Sequence, residues 1–245
     1  MFEETLKCGN LYDSDLLKKR FAQWMQHKVF DQDANKGAGV EYDFQIFSIV
    51  KYFDLLMRNN PTVIDSLFVP YNCIIHCTAV GNLIRENRKL FLSKECFTKF
   101  KGYAFSQLHK MQTKDPKGKR KEIREKYGYD TKYAVHLVRL LGECEQILMH
   151  GDLDIQQNNE HLKAIRRGEV AEAEVYKWFK EKEPVLEKLF VESKLREKAN
   201  EDEIKALLLK CLEHHYGNLS DCVIVPDKHQ SVLEKIKTIL EDNGI

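Results

Sequence analysis

From Ile49 onward the apolar residues of this chain recur at intervals of three and four, and this period limits the fold more than any other feature. Ile49, Tyr52, Phe53, Leu56 and Met57 make one apolar face, which suits the 3.6-residue turn of a helix and not the two-residue period of a strand. Asn59-Asn60-Pro61 stops that helix. Ser93 reads as the N-cap of a helix that buries Phe97, Phe100, Ala104, Leu108 and Met111. Residues 112–118 read as a loop, followed by a charged helix to Lys126 closed by Tyr127-Gly128. Asp130 caps a helix with the core face Ala134, Leu137, Leu141, Cys144 and Leu148, which His150-Gly151 ends. Helices also fit 159–167, 170–195, 201–216 and 228–242, with Pro184 expected to kink or split the second of these. The reading is seven or eight helices in a bundle-like set, with more than half of the chain helical.

Strand signals are few. Val40 to Phe47 alternates apolar and polar residues, and Val223-Ile224-Val225 is the only other credible strand. One strand cannot form a sheet alone. Residues 1–40 are polar, weakly periodic and end in the turn-like Asn35-Lys36-Gly37-Ala38-Gly39. Either they supply a partner strand that pattern reading barely detects, or the chain lacks part of a parent domain. The expected fold class is therefore mainly α: a small, partial α/β segment over 1–60, then a helical domain over 61–245.

Composition removes several function classes. With 39 basic and 38 acidic residues the net charge is +1, so a globally basic nucleic-acid coat is excluded and any polyanion site must be local. No apolar run approaches the ~20 residues that span a bilayer, and Met1-Phe2-Glu3-Glu4 lacks the basic and apolar parts of a signal peptide. Seven cysteines, an odd number, suit reduced thiols in a cytoplasm. Cys73, His76 and Cys77 invite a zinc reading, but no second ligand pair accompanies them, which favours buried thiols.

Asp43 sits inside an otherwise apolar strand, a position from which Asp is depleted; it either points to solvent or serves a site that needs a carboxylate. His136, Arg139, Glu143 and Gln146 share a polar stripe opposite Leu137 and Leu141, and Lys99, Tyr103, Gln107 and Lys110 share another. Two such stripes either wall a phosphate-binding cleft or are ordinary solvated faces. Lys114 to Lys126 holds seven basic and three acidic residues, which suits a nucleic-acid backbone or a solvated loop. Arg166-Arg167-Gly168 is an anion grip or a helix C-cap. His214-His215-Tyr216 reads as a helix C-terminus, and no Gly-rich phosphate loop, nucleophile elbow or zinc-protease motif occurs.

The ordered series Tyr42-Asp43, Ile49-Val50-Lys51-Tyr52-Phe53, Asn59-Asn60-Pro61, Ile64-Asp65-Ser66-Leu67-Phe68, Arg85-Glu86-Asn87-Arg88, Lys101-Gly102-Tyr103-Ala104, His136-Leu137-Val138-Arg139 and Ala164-Ile165-Arg166-Arg167-Gly168-Glu169 resembles the nucleotidyltransferases of the DNA polymerase beta superfamily found in bacteria and phages. The resemblance covers about 40 to 216. It implies that 1–60 is a remnant of the catalytic domain. It also implies transfer from a nucleoside triphosphate to a hydroxyl, with Mg²⁺ held by an Asp-x-Asp pair behind a Gly-Ser and by a third Asp. Asp43 matches that third, metal-binding and catalytic Asp. Tyr103, Gln107, Lys110, His136, Arg139, Arg166 and Arg167 become the residues expected to contact nucleotide phosphates or the acceptor. No Gly-Ser with a downstream Asp-x-Asp is found; Asp13-Ser14-Asp15 heads a helix-like run. The expectation is an incomplete nucleotidyltransferase, whether a truncation, a split gene or a degenerate copy, which is complete only with an N-terminal piece such as a separate catalytic chain. Its alternative is a non-catalytic helical module that binds nucleotide, nucleic acid or a partner protein.

Overall fold

The computed structural model describes residues 23–33, 39–219, 236, 239 and 240. Two strands lead: β1 (Gln23–Asp31) and β2 (Val40–Phe47). Nine helices follow among the described residues: α1 (Ile49–Met57), α2 (Pro61–Leu67), α3 (Ala79–Glu86), α4 (Glu95–Thr113), α5 (Lys119–Tyr127), α6 (Thr131–His150), α7 (Asn159–Arg167), α8 (Glu172–Glu192) and α9 (Glu201–Tyr216). Short 3₁₀ turns cover Tyr71–Cys73 and Arg88–Phe91. Helix accounts for more than half of the described residues, as the period of three and four requires. Ala22–Leu208 forms one compact unit, and Leu209–Ile245 belongs to a second. Among the described residues no helix is long and apolar enough to cross a membrane. Residues 223–225 and most of 228–242 lie outside the described residues, as do Asp13 and Asp15.

The partner strand comes from the poorly patterned N-terminal region. β1 pairs antiparallel with β2, from Gln23 opposite Phe47 to Asp31 opposite Val40, with a register shift between Gln26 and Val29. That irregularity breaks the two-residue alternation, which is why periodicity alone barely reveals the strand. Gly39 has φ +76°, and a β-carbon there would collide with the Phe30 ring. Alternation along β2 puts Tyr42, Phe44 and Ile46 on one face, all exposed, and Glu41, Asp43 and Gln45 on the other.

Ser48 caps α1 by accepting from the Lys51 N–H at 3.2 Å. Asn59-Asn60-Pro61 then does three separate jobs. Asn59 takes φ +51°, the left-handed conformation that Asn tolerates better than most side chains. Its amide is fully buried and donates to the Phe91 carbonyl and the Ser93 Oγ, each at 3.1 Å, while its Oδ1 accepts from the Ser93 N–H at 3.3 Å. Asn60 caps α2, and Pro61 occupies its first turn, where a missing N–H costs nothing. Ser93 is thus committed to Asn59. The sequence expectation of Ser93 as the cap of α4 is corrected: that helix begins at Glu95 after Lys94, with no side-chain cap.

The largest packing seam joins α4 to α6, and α7 and α8 also pack on α6. Cys96, Phe100, Ala104 and Met111 of α4 are buried, as are Ala134, Leu137, Leu141, Cys144 and Leu148 of α6. Two expected core residues are only half-buried: Leu108, and Phe97, which stacks on Phe190 of α8 at 4.8 Å. Asp130 caps α6 as expected, accepting from the Lys132 N–H at 2.9 Å, and Gly128, Gly151 and Gly168 end their helices in the left-handed conformation. Pro184 does not split α8, which continues from Glu172 to Glu192.

Asn59→Ala is expected to lower unfolding stability by about 3 kcal/mol, combining a left-handed backbone without its favoured residue and buried groups left unpaired. Asn59→Gly, which keeps the backbone conformation, should lose less. Urea denaturation measures both, and an Ala variant within ~0.5 kcal/mol of the parent would contradict this role for the amide.

Candidate functional site

The two polar stripes lie on neighbouring helices, and α2 touches both. Asn60 donates to the Tyr103 hydroxyl on α4 at 3.4 Å, and Asp65 pairs with Arg139 on α6. Tyr103 and Lys110 are exposed, and Gln107 is half-buried. Lys110, Arg120, Arg139 and Arg166, from α4, α5, α6 and α7, all lie within electrostatic reach of His136. Partial burial of its ring, and then the positive charges of Arg139, Arg120, Arg166 and Lys110, hold the His136 imidazolium below its ordinary pKa.

These cations are not equivalent. Arg120 pairs with Asp130 at 3.1 Å and lies over the Tyr133 ring at 4.3 Å. Arg139 pairs with Asp65 and, at 3.1 Å, with Glu143. Lys110 and Arg166 are exposed and have no acidic partner among the described residues. Arg167 instead makes a two-pronged pair with Glu169, its second bond 2.9 Å long. The turn it sits in closes α7 through Glu169 N–H to Ala164 carbonyl and Gly168 N–H to Ile165 carbonyl bonds, both 3.0 Å. The helix-cap reading therefore accounts for Arg167, and Arg166 is the arginine of this pair whose charge acts on His136.

The stripe on α6 is not a solvated face throughout. Glu143 and Gln146 are buried, and the Gln146 carbonyl oxygen accepts from the Asp154 N–H at 2.9 Å. Asp65 and Glu143 share one arginine, and Asp65 Oδ1 and Glu143 Oε2 are buried without a hydrogen-bond partner. Burial raises both carboxyl groups, the negative charge of Asp65 adds to this at Glu143, and Arg139 opposes it; Glu143 is pushed up to about 8. At neutral pH Glu143 accordingly favours its protonated form beside the Arg139 guanidinium. Arg139 is thereby a tie between α2 and α6. The i,i+4 spacing of Arg139 and Glu143 was the sequence signal for this pair. Nothing in the spacing announced Asp65, which arrives from another helix.

Asp43 is exposed on the polar face of β2, next to Glu41 and Gln45 in that face, and β2 packs on α1. Among the described residues no three His, Cys, Asp or Glu gather into a group able to hold a metal ion. Cys73 is exposed and Cys77 half-buried, at a 3₁₀ turn and the loop after it, so the expectation of buried thiols there is corrected. A separate cavity of about 300 Å³ lies between α6, α7 and α8. Val138, Ile165 and Val175 line it together with Trp178, His161 and Glu174. The Glu174 carboxylate is engaged in accepting from the Ala171 N–H at 2.9 Å.

A family model described as RlaP, an RNA repair pathway DNA polymerase beta family, matches residues 31–214. The chain belongs to this family. The resemblance drawn from the ordered motifs thus holds, and the match takes in β2, the two stripes and the Arg166–Gly168 turn. No curated protein and no solved structure matches the chain.

Two outcomes follow from the buried group of this RlaP-family chain. Arg139→Ala should cost about 2–4 kcal/mol in urea unfolding, because it leaves Asp65 buried and uncompensated. Glu143→Gln should stabilise the fold at pH 7 by at least about 1 kcal/mol. The sign follows from the raised pKa: the folded state keeps a proton that the unfolded state has lost. Stability tied to Glu143 is complete below its ordinary value of 4.5 and is lost as pH rises toward about 8. Glu143→Gln should flatten the stability profile between those limits. An unchanged profile would remove the proton from Glu143.

Proposed function

We propose that this chain acts in nucleotidyl transfer, with the His136 group holding the triphosphate of a nucleoside triphosphate. In that reaction the oxygen of an acceptor hydroxyl attacks the α-phosphorus, and the bond to the bridging oxygen breaks as pyrophosphate leaves. The observation that carries the reading is that Lys110 and Arg166 stand near His136 with no acidic partner among the described residues. Fixed cations near the phosphates favour the charge that develops as pyrophosphate departs. In this reading Tyr103 and Gln107, on the same stripe as Lys110, orient the nucleotide or the acceptor. Arg167 is assigned only a supporting field, because Glu169 holds it.

Membership of a polymerase-beta-type family supports Mg²⁺ as the cofactor, with Asp43 as one ligand. The proposal then requires further carboxylates from beyond the described residues, in Gly-Ser and Asp-x-Asp elements of the kind the resemblance implies. Alone, the chain should bind Mg²⁺ weakly, since Mg²⁺ favours sites with several oxygen ligands.

An approaching triphosphate offsets the cations around His136 and raises the affinity of its imidazole for a proton. Nucleotide binding should therefore tighten as pH falls below neutrality, and His136→Ala should remove that dependence. Titration calorimetry with a non-hydrolysable nucleoside triphosphate should show Lys110→Ala and Arg166→Ala each losing about 1.5–3 kcal/mol, the scale of a hydrogen bond to a charged group. Full affinity in the double variant would reject the site. Transfer activity is assayed after co-purification with the product of the adjoining reading frame. Nucleotide binding without any transfer there would favour the non-catalytic helical module.

A further inference from the structure

We infer that α5 and the loop before it form a docking track for the phosphodiester backbone of a nucleic acid, which rests on the nucleotidyl-transfer reading in making that nucleic acid the acceptor. Lys110 to Lys126 holds eight basic and three acidic residues in a chain whose net charge is +1. The rest of the molecule is therefore net acidic, and the positive field is concentrated here. α5 has no fully buried residue. Lys114, Lys117, Lys119, Arg124 and Lys126 are exposed and have no acidic partner among the described residues, whereas Lys121 pairs with Glu125 at 3.8 Å. The two remaining acids, Asp115 and Glu122, leave a clear excess of positive charge.

The placement of this helix matters as much as its charge. The Tyr127 ring lies against Gly168, where φ is +75° and a β-carbon would collide with it. The Tyr129 hydroxyl donates to the Val170 carbonyl at 2.7 Å. These contacts bring the end of α5 to the end of α7, which carries Arg166, while Arg120 ties the start of α5 to Asp130 at the N-terminus of α6. Two basic segments some forty residues apart in sequence thus meet beside the His136 group. A backbone lying along Lys117, Lys119 and Lys126 leads toward the proposed triphosphate site. Such a track reads charge and not base identity.

The test uses the full chain and fluorescence anisotropy with labelled single-stranded RNA and single-stranded DNA of one sequence, with no nucleoside triphosphate present. The triple variant Lys117→Gln, Lys119→Gln, Lys126→Gln should weaken binding about tenfold at low salt and reduce the slope of log affinity against log salt by about two, since each lost phosphate contact removes ~0.7 from the slope for single strands. A control triple, Lys177→Gln, Lys188→Gln, Lys205→Gln, removes the same charge from lysines already paired within their own helices and should bind like the parent. RNA and DNA should both respond to the first triple if the backbone is read; loss with RNA alone would overturn backbone reading. Equal losses in the two triples, or absence of salt-dependent binding to either strand, would also overturn the track. So would equally tight binding of polyglutamate, which would make the surface a docking site for acidic protein. Oligonucleotide binding that survives while Lys110 and Arg166 prove irrelevant to nucleotide rejects the triphosphate site and leaves the track standing; the reverse result rejects the track alone.

Discussion

The enclosure of α6 governs the rest of this structure. Thirteen of its twenty residues are buried, and α4, α5, α7 and α8 all pack on it. A helix so covered leaves few of its polar side chains to water, and most of the buried ones pair within the protein. Arg139 takes Asp65 and Glu143, Gln146 takes the Asp154 backbone, Glu145 takes Lys182 at 2.7 Å, and the capping Asp130 takes Arg120. The partners come from α2, α5, α8 and the turn after α6. Satisfying one helix thereby fixes the positions of its neighbours. Lys110 and Arg166, exposed and without an acidic partner among the described residues, belong to helices that flank it.

This enclosure also explains which parts of the fold could be read from the chain. The limits of β2, α7 and α9 and the cap at Asp130 are local matters of period and capping chemistry. Ser93 failed as a cap because Asn59, 34 residues earlier, claims it. β1 escaped notice because its register shift breaks alternation, and Pro184 was overruled by the packing of α8. In each case a long-range contact decided against a local preference.

The candidate site divides along the same line. Residue type and spacing nominated Lys110, His136 and Arg166, and these three share one electrostatic neighbourhood. The same reasoning nominated Arg139 and Arg167, yet both carry carboxylate partners, one from a distant helix and one from two residues away. Counting basic residues cannot distinguish a cation already neutralised from one open to a ligand; only the folded pairing does. Asp43 was legible as an anomalous carboxylate, and its strand places it with Glu41 and Gln45 on the polar face of the hairpin.

The anchoring of α5 has a consequence for motion. This helix spans nine residues, buries none fully, and is held mainly by Tyr127 against Gly168, by Arg120 on Tyr133 and Asp130, and by the Arg124 bond to the Lys114 carbonyl at 3.4 Å. With so few apolar contacts its local opening takes little free energy compared with that of α4 or α6. Its amides are therefore among the first helical amides of the Ala22–Leu208 unit to exchange with deuterated solvent. The densest positive charge of the molecule is thus presented by one of its least rigid helices. A polyanion that neutralises those lysines would relieve their mutual repulsion and quench that opening.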